Sequence, residues 1–271
     1  MTAHNCEACP AHAHLAQMGL SVDRIDRVVA LAGNPNTGKS TLFNALTGLR
    51  QHTGNWPGKT VTRAEGGFTF NALRYKLVDL PGTYSLLSAS HDEEIARDFL
   101  LFGTPDCTIV VADATALERN LNLVLQVLEI TGKAVLAVNL MDEAKRKGIE
   151  VDVRSLSRDL GVPAVPVVAR TGEGLQALLT TMDGVIGGTI TTNPARARGT
   201  PEFNAAIAEL VPLIEAAAPG VPNARWIAIR LLDGDGRVER ALRNGELAAL
   251  VARQQRPDDR FSRKIALQGA Q

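Results

Sequence analysis

Cysteine is scarce in this chain: there are three in 271 residues (Cys6, Cys9 and Cys107), too few for a disulfide framework. That count makes a reducing cytosol the default compartment. Aromatic residues make up only 4% of the sequence, so the core is expected to be aliphatic, packed from Ala, Val and Leu as in α/β proteins. Neither sign of charge is in excess, with Lys+Arg and Asp+Glu at 29 each. A neutral chain offers no electrostatic argument for nucleic acid or for an anionic membrane surface. No apolar run reaches about 18 residues, and the N-terminus lacks the charged-then-apolar layout of a signal peptide. The polypeptide as it stands is expected to be soluble. Its length and 45% hydrophobic content suit one large domain plus an appendage.

What is present is an alternation. Apolar strand-like runs at 27–32, 64–70, 73–79, 107–113, 134–139 and 164–168 are separated by longer amphipathic stretches. That pattern predicts an α/β fold with a mostly parallel six-stranded sheet and helices on both faces. The runs 64–70 and 73–79 are joined so closely that they must form an antiparallel hairpin. We divide the chain into a Cys/His-bearing leader at 1–24, the sheet domain at 25–187 and a linker at 188–200 rich in Gly, Thr, Pro and Ala. A small all-helical domain follows at 201–255, with helices expected over 201–218, 226–232 and 238–252, and then a polar tail at 256–271.

One segment decides the chemistry. Gly33-Asn34-Pro35-Asn36-Thr37-Gly38-Lys39-Ser40 satisfies G-x-x-x-x-G-K-[ST], between a predicted strand and a predicted helix that opens with Thr41. Strand, glycine loop and helix is the geometry that turns backbone N–H groups around phosphate oxygens. Lys39 would reach the β- and γ-phosphates, and the Ser40 hydroxyl would ligate Mg²⁺.

Four further segments choose guanine. Asp79-Leu80-Pro81-Gly82 ends the second hairpin strand, placing Asp79 to hold Mg²⁺ and Gly82 to offer an N–H to the γ-phosphate. Asn139-Leu140-Met141-Asp142 follows an apolar strand. The Asp142 carboxylate can accept from both N1–H and N2–H₂ of guanine, a donor pair that adenine lacks. Asn139 would brace the phosphate loop. Thr60, 21 residues after Lys39, sits in the Gly/Pro-rich segment Gly54-Asn55-Trp56-Pro57-Gly58-Lys59-Thr60, where it can offer its hydroxyl to Mg²⁺ and its N–H to the γ-phosphate. Ala169-Arg170-Thr171-Gly172 follows the strand 164–168, where a base-contacting loop should fall, with Val168, Ala169 and Arg170 as candidate nucleotide contacts. Together these segments predict a GTPase.

With these residues in hand the chain resembles the cytosolic N-terminal region of the bacterial ferrous iron transport protein B (FeoB). The resemblance rests on the phosphate loop, on Asn55-Trp56-Pro57-Gly58, on Asp79 to Leu86, on Asp113 to Leu121 and on Asn139 to Asp142. Trp226 to Asp235 is similar to the family's helical spacer. It implies a P-loop GTPase domain plus spacer at the cytoplasmic face of the inner membrane, normally followed by a polytopic membrane domain that carries Fe²⁺. The chain is therefore expected to be a soluble fragment of a longer protein. Small cytosolic accessory proteins and further copies of the chain are the candidate partners, with no nucleic acid among them.

The resemblance also bears on mechanism. Thr83 stands where many regulatory GTPases carry a water-orienting glutamine. Asn36 matches an asparagine that ligates K⁺ in K⁺-stimulated GTPases, and carbonyls of Gly54 to Trp56 would complete that shell, supplying charge as an arginine finger does elsewhere. The alternative is that Asn36 only caps its own loop. Ala169 occupies a position where the family usually has Ser or Thr. Its N–H is expected to reach guanine O6, and the missing hydroxyl predicts fast GDP release.

In the leader, Cys6 and Cys9 form a C-x₂-C beside His4, His12 and His14, a set that could bind zinc or iron or do nothing. Cys107 is expected in the core, and His52 and His91 on solvated loops. A soluble GTPase of RNA modification or ribosome assembly shares the same boxes. Such proteins usually carry a basic appendage, which this neutral chain lacks.

Overall fold

The computed structural model describes residues 25–48, 51–56, 60–87, 90–196 and 199–255. Contacts divide the chain into two bodies, one ending at residue 197 and one beginning at residue 198. The leader with Cys6 and Cys9, the run Pro57-Gly58-Lys59 and the tail from 256 lie outside the described residues.

The first body is built on one sheet of seven strands: β1 (Arg27–Gly33), β2 (Gln51–Asn55), β3 (Thr62–Phe70), β4 (Leu73–Asp79), β5 (Cys107–Asp113), β6 (Ala134–Asn139) and β7 (Ala164–Pro166). Their order is β2-β3-β4-β1-β5-β6-β7. The five strands from β4 to β7 run parallel, and β2 and β3 add an antiparallel edge. The parallel centre explains the apolar runs. In β6 all six residues are buried, because crossover helices cover both faces. Asn71 and Ala72 turn β3 into β4, both with positive φ (47° and 63°), as a primed two-residue hairpin requires.

Among the described residues this body holds six α-helices: α1 (Lys39–Thr47), α2 (His91–Phe102), α3 (Leu117–Ile130), α4 (Met141–Arg146), α5 (Val153–Leu160) and α6 (Leu175–Gly187). Leu42 and Phe43 of α1 join Leu178, Met182 and Val185 of α6 against Val29, Leu31, Ile109 and Val135. The apolar stripe of α3 (Leu123, Val124, Val127, Leu128) is fully buried against β5 and β1 on the opposite face. Cys107 is a buried core residue, and burial pushes its thiol up to about 12.

The sheet has one strand more than the six expected. Gln51-His52-Thr53-Gly54-Asn55 has no apolar alternation and reads as loop. It becomes a strand because β3 offers a complete antiparallel ladder, from Gln51↔Gly66 to Asn55↔Thr62. The last strand is shorter than expected, since Val168 leaves the sheet to bridge Glu173. The expected linker is also more ordered than its composition suggests. Asn193 N–H donates to Gly161 O at 2.8 Å, Ala195 N–H to Leu160 O at 2.8 Å and Thr192 Oγ1 to Gly132 O at 2.7 Å. Residues 192–195 are thus strapped onto the first body.

The second body holds α7 (Pro201–Ala217), α8 (Ala224–Leu232), α9 (Gly236–Arg243) and α10 (Glu246–Gln255). Thr200 caps α7 by accepting from Phe203 N–H at 3.3 Å, with Pro201 in the first turn. The single helix expected over 238–252 is two, broken at Gly245, whose φ of +74° ends α9. Arg230 is buried and paired with Asp235 at 3.0 Å and Asp233 at 2.9 Å. Among the described residues no helix is long and apolar enough to cross a membrane.

Candidate functional site

The C-terminal ends of β1, β4, β6 and β7 bring four loops to one edge of the sheet, where open α/β sheets bind ligands. The first loop runs from Gly33 to the start of α1. Asn36 and Gly38 both take positive φ, 65° and 79°. A Cβ on Gly33 would stand 2.7 Å from Val111 O, and one on Gly38 would stand 2.3 Å from Asn139 Nδ2. Only glycine fits at either place, so the backbone itself can approach a ligand. Thr37 Oγ1 donates to Asn34 O at 2.9 Å, and the carboxamide nitrogen of Asn34 is buried without a partner.

Lys39 and Ser40 open α1. The Lys39 ammonium donates to the Asp79 carboxylate and, at 2.7 Å, to the Leu80 carbonyl oxygen. Burial pushes the Asp79 carboxyl above its ordinary value against the pull of Lys39. Ser40 and Thr41 are exposed on the first turn.

The loop Leu80-Pro81-Gly82-Thr83 leaves β4 beside this one. Leu80 N–H donates to Leu31 O at 3.0 Å and Thr83 N–H to Gly33 O at 3.4 Å, while a Cβ on Gly82 would lie 3.5 Å from Pro35. Thr83 is buried and its hydroxyl donates to Ser85 O at 2.7 Å.

The base-side loops are tied to the phosphate loop by one side chain. Asn139, at the end of β6 and buried, donates from Nδ2 to Thr37 O at 2.9 Å. Its Oδ1 accepts the Ala169 N–H at 3.0 Å. The Ala169 amide, expected at guanine O6, is thus already hydrogen-bonded within the protein. The next amide, Arg170 N–H, has no partner among the described residues. Leu140 takes a left-handed turn (φ 62°) and so starts α4 at Met141 and Asp142. Desolvation raises the Asp142 carboxyl, but the Arg170 guanidinium at 3.1 Å, the Glu143 N–H and the Arg146 charge outweigh it and hold it below the usual range.

Not every expected residue joins this cluster. Gly54 and Asn55 lie on β2, opposite Arg63 and Thr62, so they are strand residues instead of loop residues. The Trp56 ring is buried edge-on to Phe99 (centroids 5.6 Å apart), with the Arg63 guanidinium over it at 5.8 Å. Thr60 is exposed and bonds neither Asp79 nor Ser40. Gln126 was missed by the sequence reading, yet its Oε1 accepts from Leu86 N–H at 2.7 Å. The sequence carries little signal for it, since Gln126 is a half-buried polar residue beside the buried stripe of α3 and not within it.

The family model of ferrous iron transport protein B matches residues 27–182, and that of the FeoB cytosolic helical domain matches 200–265. The chain belongs to the ferrous iron transport protein B family. It is 41% identical over 217 residues to the Fe(2+) transporter FeoB of Salmonella typhimurium, covering 76% of this chain and 27% of that protein. It thus spans about a quarter of the length of that curated relative.

Two forms of the cytosolic domain of the T. maritima FeoB iron transporter share its fold. The GDP form matches at 37% identity and a TM-score of 0.74, covering 85% of this chain and 87% of that one. The GMPPNP form matches at 38% identity and a TM-score of 0.72, covering 86% and 87%.

Proposed function

We propose that the first body binds GTP and GDP and hydrolyses GTP, acting as the regulatory module of a Fe²⁺ membrane transporter, with K⁺ raising the rate. The observation that carries this reading is Asn139, one buried side chain joined to both the phosphate loop and the base-side loop. The nucleotide-bound forms solved for the T. maritima relative support it. So does the match to curated Fe(2+) transporters, of which this chain covers a fraction.

In this reading the glycine loop and the N-terminus of α1 supply N–H groups to the phosphates, and Lys39 exchanges part of its bonding to Asp79 and Leu80 for phosphate oxygens. Asp142 accepts from the guanine N1–H and N2–H₂, and the Arg170 amide donates to O6. The donor set fits Mg²⁺: the exposed Ser40 hydroxyl and the Asp79 carboxylate would hold it, with Thr60 reaching it once its loop closes. Bound there, Mg²⁺ neutralises charge between the β- and γ-phosphates.

Gly82 lies beside Pro35 of the phosphate loop, from where its N–H would donate to the γ-phosphate. Thr83 cannot orient the attacking water, because its hydroxyl is committed to Ser85 O. The Asn36 side chain makes no hydrogen bond to the described residues, which favours a cation ligand over a loop cap. Asn36, with carbonyls of the Gly54 to Trp56 segment, would hold K⁺, whose charge would serve where an arginine finger serves elsewhere.

The test is steady-state GTP hydrolysis by the chain in KCl against NaCl at equal ionic strength. We expect strong stimulation by K⁺ that is lost in Asn36→Ala. Equal, slow rates would discard the cation site and leave a switch that awaits a catalytic group from a partner.

A further inference from the structure

The loop that carries Gly82 is anchored at both ends. At its start Leu80 N–H donates to the Leu31 carbonyl at 3.0 Å, and just after Gly82 the Thr83 N–H donates to the Gly33 carbonyl at 3.4 Å. Three residues on, Leu86 N–H donates to Gln126 Oε1 at 2.7 Å, and Ser85 Oγ donates to the same oxygen at 3.2 Å. Ser85 also accepts the Thr83 hydroxyl on its carbonyl, so the two anchors are bonded to each other. Gln126 is itself oriented, since its Nε2 donates to Asn122 Oδ1 at 3.3 Å one turn earlier on α3. The Leu86 side chain is 1% exposed, which seats the segment by packing as well. A second tether lies on the same helix: the Arg119 guanidinium sits over the Tyr84 ring at 4.9 Å.

We propose that Gln126 is a positioning residue for GTP hydrolysis, its carboxamide oxygen holding the Gly82–Leu86 segment so that the Gly82 N–H is fixed for the γ-phosphate. The inference rests on the GTPase reading above. It answers the lack of a water-orienting carboxamide at Thr83. A carboxamide is present nearby, but it acts on the backbone instead of on the water. Preorganising a donor where charge develops lowers the barrier without tightening ground-state binding of a ligand that lacks the γ-phosphate. GDP affinity should therefore be indifferent to Gln126, whereas the hydrolysis rate should not be.

The experiment uses the 271-residue chain in KCl, measuring kcat for GTP hydrolysis and Kd for a fluorescent GDP. Gln126→Ala is expected to lower kcat about tenfold while GDP Kd stays within about twofold. Gln126→Glu keeps an acceptor for Leu86 N–H and Ser85 Oγ, so it should recover most of the rate. Should Gln126→Ala melt early, Ser85→Ala removes one donor to the same oxygen and is expected to lower kcat about threefold with its Tm unchanged.

Wild-type rates in Gln126→Ala, or in a folded Ser85→Ala, overturn the proposal. So does a parallel loss of GDP affinity, which would mark a purely structural role. A wild-type chain that hydrolyses no GTP overturns the underlying reading as well. A hydrolysing wild type with an indifferent Gln126 overturns this inference alone.

Discussion

Asn139 Nδ2 donates to the carbonyl oxygen of Thr37 at 2.9 Å, joining two loops that lie 102 residues apart in sequence. Both groups are buried, and the other end of the same carboxamide holds the Ala169 amide. A single side chain thus sets the distance between the phosphate half and the base half of the site.

Replacing Asn139 with Ala should therefore cost stability as well as binding. The change removes two hydrogen bonds and strands a buried carbonyl and a buried N–H, each worth about 1–3 kcal/mol. We expect a loss of about 3 kcal/mol in urea unfolding, together with loss of detectable GDP binding. A variant within about 0.5 kcal/mol of wild type would falsify the clamp.

Gly38 and Gly48 flank the same helix, and both have positive φ. A Cβ at Gly48 meets nothing within 4 Å, while one at Gly38 meets Asn139 Nδ2 at 2.3 Å. Gly48→Ala should cost only the left-handed strain of about 1–2 kcal/mol and keep GDP affinity. Gly38→Ala should displace Asn139 and lower GDP affinity more than tenfold. Equal affinities in the two variants, read by fluorescent GDP titration, would contradict the geometry.

In the proposed site Asp142 sets the base. Its carboxylate would accept two hydrogen bonds, so Asp142→Asn places an amide NH₂ against the guanine donors and should weaken GDP binding by roughly a hundredfold or more. The same amide NH₂ matches a carbonyl at the purine 2-position, so xanthosine diphosphate should gain in affinity. Arg170 and the Glu143 N–H hold this carboxyl below its usual range, so it stays ionised as pH falls from 8 to 5. Asp142 should therefore add no pH dependence to GDP affinity across that window; what isothermal titration shows there should follow the terminal phosphate of GDP, which titrates at about 6, and the raised Asp79 carboxyl.

Much of the sheet was legible because buried parallel strands must be apolar on both faces. β1, β5 and β6 are unbroken apolar runs for that reason. β2 was not legible. Its residues are polar or glycine, and only its ladder with β3 makes it a strand. The break at Gly245 was hidden as well, because α9 and α10 are apolar on compatible spacings and a lone glycine is tolerated within a helical pattern. The buried Lys76–Glu65 pair, 3.0 Å apart with both side chains nearly inaccessible, had no sequence signal either, since charged residues in an edge hairpin read as solvated.

By itself the sequence determined which chemistry can occur here. The spacing of Gly33, Gly38, Lys39 and Ser40, and the placing of Asp79, Asn139 and Asp142 after apolar runs, depend on local chain geometry: a strand, a tight turn, a helix start. Tertiary structure decided which groups are already committed. The Ala169 amide belongs to Asn139, the Thr83 hydroxyl to Ser85, the Trp56 ring to Phe99 and Arg63, and the Leu86 amide to Gln126. Of these, all but the Thr83–Ser85 bond and the Trp56–Arg63 contact join residues far apart in the chain. Their partners are chosen by how helices pack on a twisted sheet, where every buried donor must find an acceptor.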